Sequence, residues 1–504
     1  MNKTVKLYYT SDTHGYMFPT DYVNKADKNM GLLSCINEFK KDGNTLILDA
    51  GDTIQGSVFS KHMWENTTEG CMIAEVFNQG NYDYFTLGNH DFNHGYQKLA
   101  RYIGTSNAQC IVANIVDKTG ELGIKPYVIH TLENGLKVGI VGLVTDYVTL
   151  WEKPENLEQI DVLDTFTAAK NALAQMKDQC DISICLYHGG YECDLETGKK
   201  LAEGKENVGY RICEELDFDV LLTGHQHMPT AGRMIHGTYT MQVAPNAQQY
   251  GFVQIELDGE KIVEIISENK VPEICKDNAK ATWLEEQEAV QVWLDSKLGS
   301  FSEEIPALSK LEVAVNGGRL ADLCNQIQLE YTGAEISCTS LGNNPVGFSK
   351  DVTIREIVAA YQFPNTMKVL EVDETIIRKA LERCAEYFTL REDGEIVISD
   401  CFIKPKEEHY NYDFFAGIEY TFDITKPVGS RVVRLEKNGK PLENRKYTLV
   451  MNDYRATGTG GYAFYQDCKI AKEYTVDTQE MIIEYVKNKQ VVTIMDKPDF
   501  KIVK

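Results

Sequence analysis

Five short polar segments constrain this chain more than any other feature. Each carries a metal-type ligand and each follows a short apolar, β-rich run. They are Asp12-Thr13-His14-Gly15 after residues 5–10, Gly51-Asp52 after 45–50, Gly88-Asn89-His90-Asp91 after 83–87, His188-Gly189-Gly190 after 181–187, and Gly224-His225-Gln226-His227 after 219–223. Open α/β sheets gather ligands at the carboxyl ends of their strands, so five such ends would place these groups on one rim. The glycines let the backbone turn sharply and leave room for a substrate. Imidazole, carboxylate and amide oxygen together suit Zn, Mn or Fe, and a structural Cys-rich zinc site is disfavoured because the segments hold no Cys.

Taken singly, the segments differ in weight. A polar turn explains Asp-x-His as easily as a ligand pair does, and Gly-Asp alone carries almost nothing. Gly-Asn-His-Asp is stronger, because three polar groups after an apolar strand are costly unless used. Gly-His-x-His is strong as well, since residues i and i+2 of an extended strand point to one side. Together the segments hold His14, His90, His188, His225 and His227, half of the chain's 10 histidines.

Between the β-rich runs lie helical periodicities, at 32–41 and 164–176, and a hairpin pattern around Gly251 and Gly259. Strands alternating with helices predict an α/β domain over residues 1–275. A charged amphipathic stretch at 279–298, with Trp283, Val290, Trp293 and Leu294 on one stripe, reads as a connecting helix or an ordinary surface helix. It places a linker at 276–310. Beyond it, Gly317-Gly318-Arg319 opens a helical stretch to Leu329, followed by β-rich runs at 367–372, 414–422, 432–435 and 447–450. Residues 311–504 therefore read as a separate α+β domain.

Composition narrows the function. With 504 residues, 43% hydrophobic, the chain is too long for one small domain and too apolar for disorder. Its formal charge of −24 excludes a nucleic acid polymer as partner, which needs a basic footprint. An acidic chain that handles phosphate must neutralise it locally, and metal ions do that. No run of about 18 apolar residues marks a membrane span. The N-terminal stretch MNKTVKLYYT lacks a signal-peptide core, so a cytoplasmic location is expected, or a periplasmic or extracellular one if a leader has been removed. The 13 cysteines contain no CxxC pair and read as reduced thiols. Oligomeric state has no signal here.

The five segments, in this order, resemble the calcineurin-like dinuclear metallophosphatases. The likeness to the 5′-nucleotidase and 2′,3′-cyclic-nucleotide phosphodiesterase branch extends over nearly the whole chain. It implies a four-layer α/β/β/α sandwich followed by a C-terminal α+β nucleotide-binding domain, which holds base and ribose and rotates to deliver the phosphate to the metals. Carried over by position, it implies two divalent ions, Mn, Zn or similar. One is held by Asp12, His14, Asp52 and His227, the other by Asp52, Asn89, His188 and His225, with Asp52 bridging. Such a pair, roughly 3.5–4 Å apart, holds a hydroxide that attacks phosphorus in line with the leaving oxygen. The catalytic candidates are His90, which would stabilise transition-state charge or protonate the leaving oxygen, and its neighbour Asp91. His94 reads as a surface residue first and a substrate contact second.

Two departures tilt the branch. The 5′-nucleotidase pattern has an Asp three residues after the catalytic His, and this chain has Asn93, similar to the cyclic-nucleotide branch. A second phosphate-binding Arg of the 5′-nucleotidase form has no counterpart in Leu341-Gly342-Asn343-Asn344-Pro345. In the second domain, the segments around Tyr410-Asn411-Tyr412-Asp413 and Tyr454-Arg455-Ala456, with Phe363-Pro364-Asn365-Thr366, resemble the same branch. From composition alone aromatic strands are more often core than clamp. The resemblance implies a base sandwiched between Tyr462 and either Tyr412 or Tyr410, with Arg319 on the phosphate. The expected activity is metal-dependent hydrolysis of 2′,3′-cyclic nucleotides, nucleoside monophosphates, or both. A 5′-nucleotidase or UDP-sugar hydrolase is the alternative, and a non-catalytic nucleotide-binding protein the remote one.

Overall fold

The computed structural model describes residues 2–66, 71–200, 205–259, 261–275, 283–361, 365–404, 407–474, 476, 478–494 and 500–504. Residues 279–282 of the amphipathic stretch and Phe363 and Pro364 lie outside these. Two compact units emerge, one of Met1–Asp21 and Lys25–Val290, the other of Tyr22–Asn24 and Gln291–Lys504. The division falls within the helix Leu284–Leu294. Lys297–Phe301, inside the stretch read as linker, is a strand of the second unit, paired with Asp351–Thr353 and Val491–Val492.

The first unit is built on two six-stranded sheets. One has the order Lys261–Lys270, Tyr250–Asp258, Asn2–Thr10, Thr45–Asp49, Tyr84–Phe85, Gln109–Cys110. The other runs Thr230–Ile235, Thr238–Gln242, Val220–Thr223, Ile182–His188, Lys137–Val144, Tyr127–Thr131. The central strands Thr45–Asp49, Lys137–Val144, Ile182–His188, Val220–Thr223 and Thr238–Gln242 are buried on both faces, which is why most of them read as continuous apolar runs. Val5, Leu7, Leu46 and Leu48 of the first sheet pack against Val138, Ile140, Ile184, Leu186 and Leu222 of the second. The opposite faces meet helices. Tyr8 stacks on Phe39 beside the helix Leu32–Glu38, and Cys185 and Tyr187 pack with Phe166, Ala169 and Leu173 of Thr165–Met176. Asp164 caps that last helix by accepting the Thr167 N–H. The result is the four-layer α/β/β/α sandwich.

Asn2–Thr10, Thr45–Asp49 and Tyr84–Phe85 run parallel, as do Lys137–Val144, Ile182–His188 and Val220–Thr223. The polar segments follow at the carboxyl ends of these strands. Among the described residues, no helix is long and apolar enough to cross a membrane.

The second unit is α+β. A five-stranded sheet has the order Asp413–Ala416, Ile336–Ser340, Tyr447–Asn452, Met367–Val372, Lys469–Tyr474. The helix Arg319–Thr332 packs on it through Leu323, Ile327 and Cys324. The run at 414–422 is broken by Gly417, whose φ of 85° turns the chain between two strands, Asp413–Ala416 and Glu419–Asp423.

Candidate active site

The loops after the strands bring six predicted ligands into two groups. Asp12, His14 and His227 form one, and Asp52, His188 and His225 the other, with all donor atoms of a group within 4.8 Å of one another. Asp52 belongs to both neighbourhoods through one oxygen. Its Oδ2 lies 3.9 Å from His14 Nε2 and 3.2 Å from His188 Nε2. The seventh ligand, Asn89, places Oδ1 3.2 Å from His188 Nε2. His227 Nε2 is 3.4 Å from Asp12 Oδ1 and 3.0 Å from His14 Nε2.

Sequence reasoning assigned the sharp turns to glycine; Gly15 and Gly51 do turn the chain, with φ of 68° and 91°, and the ligands themselves share the strain. Asp12, His14, Asp52, His225 and His227 all have left-handed backbone, with φ of 52°, 49°, 56°, 73° and 53°. Each such residue costs on the order of 1–3 kcal/mol, and strain of this kind gathers at functional sites. His225 and His227 therefore lie on a turn after Val220–Thr223, and not on one side of an extended strand. Gly88 contributes space: a Cβ there would overlap the Asp52 carboxylate and backbone.

Hydrogen bonds fix which ring nitrogens are available. His14 Nδ1 donates to the Gln55 carbonyl and His188 Nδ1 to the Ala50 carbonyl, each at 2.8 Å. Their Nε2 atoms therefore face the cluster, where a bound cation would take the lone pair in place of any proton. His225 is held the other way, with Nε2 donating to Glu206 Oε1 at 3.0 Å, which leaves Nδ1 free to coordinate. Asp12 and Asp52 are each 1% exposed. Burial alone would raise their pKa values, yet His227 and His188 hold Asp12 low, and His188, His90 and His14 hold Asp52 low. Burial pushes His14 down to about 4, whereas at His188 Asp52 outweighs burial and raises it to about 10. Two buried carboxylates, four imidazoles and an amide oxygen form a donor set that fits two divalent cations.

His90 sits in the short turn Asn89–Phe92, its ring centroid 5.5 Å from that of His14. Its backbone N–H donates to Asp52 Oδ1 at 2.7 Å. Asp91 is different, and its reading as a catalytic residue is corrected. Its carboxylate is fully buried and accepts the backbone N–H groups of Asp52, Thr53, Ile54 and Gly88 at 2.8–3.0 Å. Asp91 shapes the loop that carries Asp52. His94 is also more buried than a surface residue, lying against Trp64.

In the second unit the clamp expectation changes. Tyr412 and Tyr462 are 2% and 0% exposed, which rules them out as faces for a base. The Arg455 guanidinium lies 4.1 Å over the Tyr462 ring, and Tyr465 lies parallel to it at 5.8 Å. Arg455 is itself buried and paired with Asp413. The Tyr462 hydroxyl donates to the Asn411 carbonyl. Tyr410 is half-buried, and its ring lies 6.4 Å from that of Tyr454, which is 40% exposed. Arg319 begins its helix and pairs with Glu303. Sequence reasoning did not single out Tyr454, the exposed ring beside Tyr410, nor Glu206 and Trp151; the Trp151 ring stacks on His225 at 5.5 Å. No spacing signal links the last two to the motifs.

Comparison with known proteins agrees with this architecture. Residues 5–229 match the calcineurin-like phosphoesterase family and residues 298–467 the 5′-nucleotidase C-terminal domain. The chain is 25% identical to the trifunctional nucleotide phosphoesterase protein of Bacillus subtilis, over 96% of its own length but only 38% of that protein. It is 22% identical to the 2′,3′-cyclic-nucleotide 2′-phosphodiesterase/3′-nucleotidase of Haemophilus influenzae, over 96% of this chain and 84% of that one. The crystal structure of a candidate 5′-nucleotidase from Staphylococcus aureus superposes with a TM-score of 0.81 at 29% identity, covering 100% of both chains. The chain belongs to the calcineurin-like metallophosphoesterases, phosphoric ester hydrolases, and carries a 5′-nucleotidase C-terminal domain.

Proposed function

We propose that the chain hydrolyses the phosphate esters of nucleotides, with 2′,3′-cyclic nucleotides and nucleoside monophosphates as substrates. The observation that carries this reading is the pair of ligand groups sharing Asp52, with His90 beside them. Asp12, His14, Asp52 and His227 would hold one divalent cation, and Asp52, Asn89, His188 and His225 the other. Such ions, when bound, screen the phosphate charge and supply the Lewis acidity the reaction needs. The chain's own residues do the rest. Carbonyl and carboxylate partners orient the ligand imidazoles. His90, with Nδ1 engaged by Asn93 Oδ1 at 2.8 Å, offers Nε2 to the phosphoryl group or the leaving oxygen. Tyr410 and Tyr454 are the aromatic faces open to a base, and Arg319 is the cation for phosphate.

The amide at position 93 favours the cyclic-nucleotide reading, and the likeness to the Staphylococcus structure favours 5′-monophosphates as the second. Phosphate release from 3′-AMP and 5′-AMP, with chromatography of the products of 2′,3′-cAMP, separates them in Mn²⁺-loaded protein. Hydrolysis of 5′-AMP alone overturns the cyclic-nucleotide assignment. No turnover of any nucleotide or nucleotide sugar overturns the enzymatic reading.

A further inference from the structure

His90 is tied to a side chain far from it in sequence. Its Nδ1 lies 2.8 Å from Asn93 Oδ1, and Asn93 Nδ2 donates to Glu152 Oε2 at 2.6 Å. Asn93 is exposed, so water competes for its amide, whereas Glu152 is buried. The second Glu152 oxygen accepts the Lys153 backbone N–H at 2.7 Å and Asn156 Nδ2 at 2.8 Å. Asn156 Nδ2 also reaches the Asn93 carbonyl at 3.2 Å. The carboxylate is therefore held at both oxygens, Oε1 by Lys153 and Asn156 of its own segment and Oε2 by Asn93.

An ionised carboxylate only accepts hydrogen bonds. Facing Glu152, Asn93 must present its NH₂ there and its oxygen to His90. That oxygen in turn requires a proton on His90 Nδ1, which leaves Nε2 as the reacting nitrogen. Water on an unanchored amide would permit the flipped rotamer, and with it the other tautomer.

We propose that Glu152 is a positioning residue for the reaction, acting through Asn93 to hold His90 as the Nδ1–H tautomer, so that an amide–carboxylate relay does here what a carboxylate in direct contact with the imidazole would do. The proposal rests on the phosphoesterase reading given above for His90.

The relay has a signature that a mere loop tether lacks: its charge and its amide can be exchanged. In the Mn²⁺-loaded full chain, assayed on bis(p-nitrophenyl) phosphate and 3′-AMP, Glu152→Gln is expected to lower kcat by about ten-fold or more with KM nearly unchanged. Asn93→Asp alone sets two carboxylates against each other and is expected to fall as far. The double variant Asn93→Asp/Glu152→Gln keeps an acceptor on His90 Nδ1 and a donor–acceptor pair behind it. It is expected to return to within about three-fold of the unmodified protein, a coupling that independent losses cannot produce. Unchanged kcat in Glu152→Gln overturns the proposal. So does a double variant no better than the poorer single variant, because it makes Glu152 a support for its own loop. Failure of the unmodified chain to hydrolyse either ester would instead overturn the phosphoesterase function and not the relay alone.

Discussion

The two units use the same kinds of side chain in opposite ways. In the first, carboxylates, imidazoles and an amide oxygen from separate loops are turned toward one another with metal-ligand chemistry: Asp12, Asp52, Asn89 and His188 are all under 10% exposed and converge. In the second, the buried polar groups are closed on themselves. Arg455 is matched to Asp413 and to the carbonyls of Tyr410 and Thr459, and Tyr462 to Asn411. An unclosed buried polar cluster is costly unless something else completes it, which marks a site. A closed one marks a scaffold, even when its aromatic and cationic residues look like a nucleotide clamp.

The strongest test of that contrast is Asp52→Asn. Loss of the shared carboxylate is expected to reduce hydrolysis to background and to lower bound metal, measured by elemental analysis, while the far-ultraviolet circular dichroism stays native. Retained activity would mean the first unit's cluster is scaffold after all. Next comes Glu206→Gln. It keeps an acceptor for His225 Nε2 but removes the charge, and partners of this kind are worth about 10–100-fold in metal affinity. Metal titration with an indicator dye reads the loss, and an unchanged affinity would remove Glu206 from the site.

The same contrast explains what the sequence could disclose. Metal ligation restricts residue type, so Asp12, His14, Asp52, Asn89, His188, His225 and His227 announce themselves by chemistry and by recurring after apolar runs. The α/β character of the first unit was legible too, since its central strands leave uninterrupted apolar stretches, whereas the four-layer sandwich was an expectation from the family resemblance alone. Conformation was not legible: nothing in Asp12 or His225 discloses a left-handed backbone. Nor was direction. His90 and Asp91 are neighbours, yet one lies beside the ligand cluster and the other lies under a loop. A tyrosine ring suits a core as well as a base, so Tyr412 and Tyr462 could not be told from Tyr410 and Tyr454 by type. Glu152 and Glu206 arrive from distant segments, and only the fold brings them in.

The tyrosines allow a smaller, sharper test. Tyr454→Ala and Tyr410→Ala are expected to raise KM for the nucleotide by roughly five-fold each, about 1 kcal/mol of stacking, with little change in Tm. Tyr462→Ala should do the reverse, costing about 3–5 kcal/mol of stability as a large aromatic is removed from the core. A large KM effect with unchanged Tm in Tyr462→Ala would restore it to the clamp.

The smallest effect concerns protons in the metal-free first unit. Burial raises Asp49 to about 7 and Asp91 to about 6, from an ordinary value of 3.8. The folded chain thus holds protons that the unfolded chain releases near pH 4. Stability from these two groups is complete below that point and is lost as pH rises through 6 and then 7. His188, raised to about 10 by Asp52 against its burial, acts with the same sign: its contribution is complete below about 6.5 and is lost toward pH 10. Asp12 and Asp52, held low, lose stability only below pH 4 and do not oppose this trend. His14 and His94, each pushed down to about 4 by burial, act with the opposite sign below about pH 6.5, so calorimetry of EDTA-treated protein should show a Tm that falls from about pH 6.5 to pH 9. Asp49→Asn isolates one contribution. The amide oxygen can still accept from the Gly51 N–H and the Thr53 hydroxyl, and the Thr10 hydroxyl can turn to Tyr82 Oη, 2.8 Å away. The variant should lie close to the unmodified protein at pH 5 and above it at pH 8. An identical pH slope in both would show that Asp49 is ionised in the folded chain, and that the first unit closes its buried charges as fully as the second.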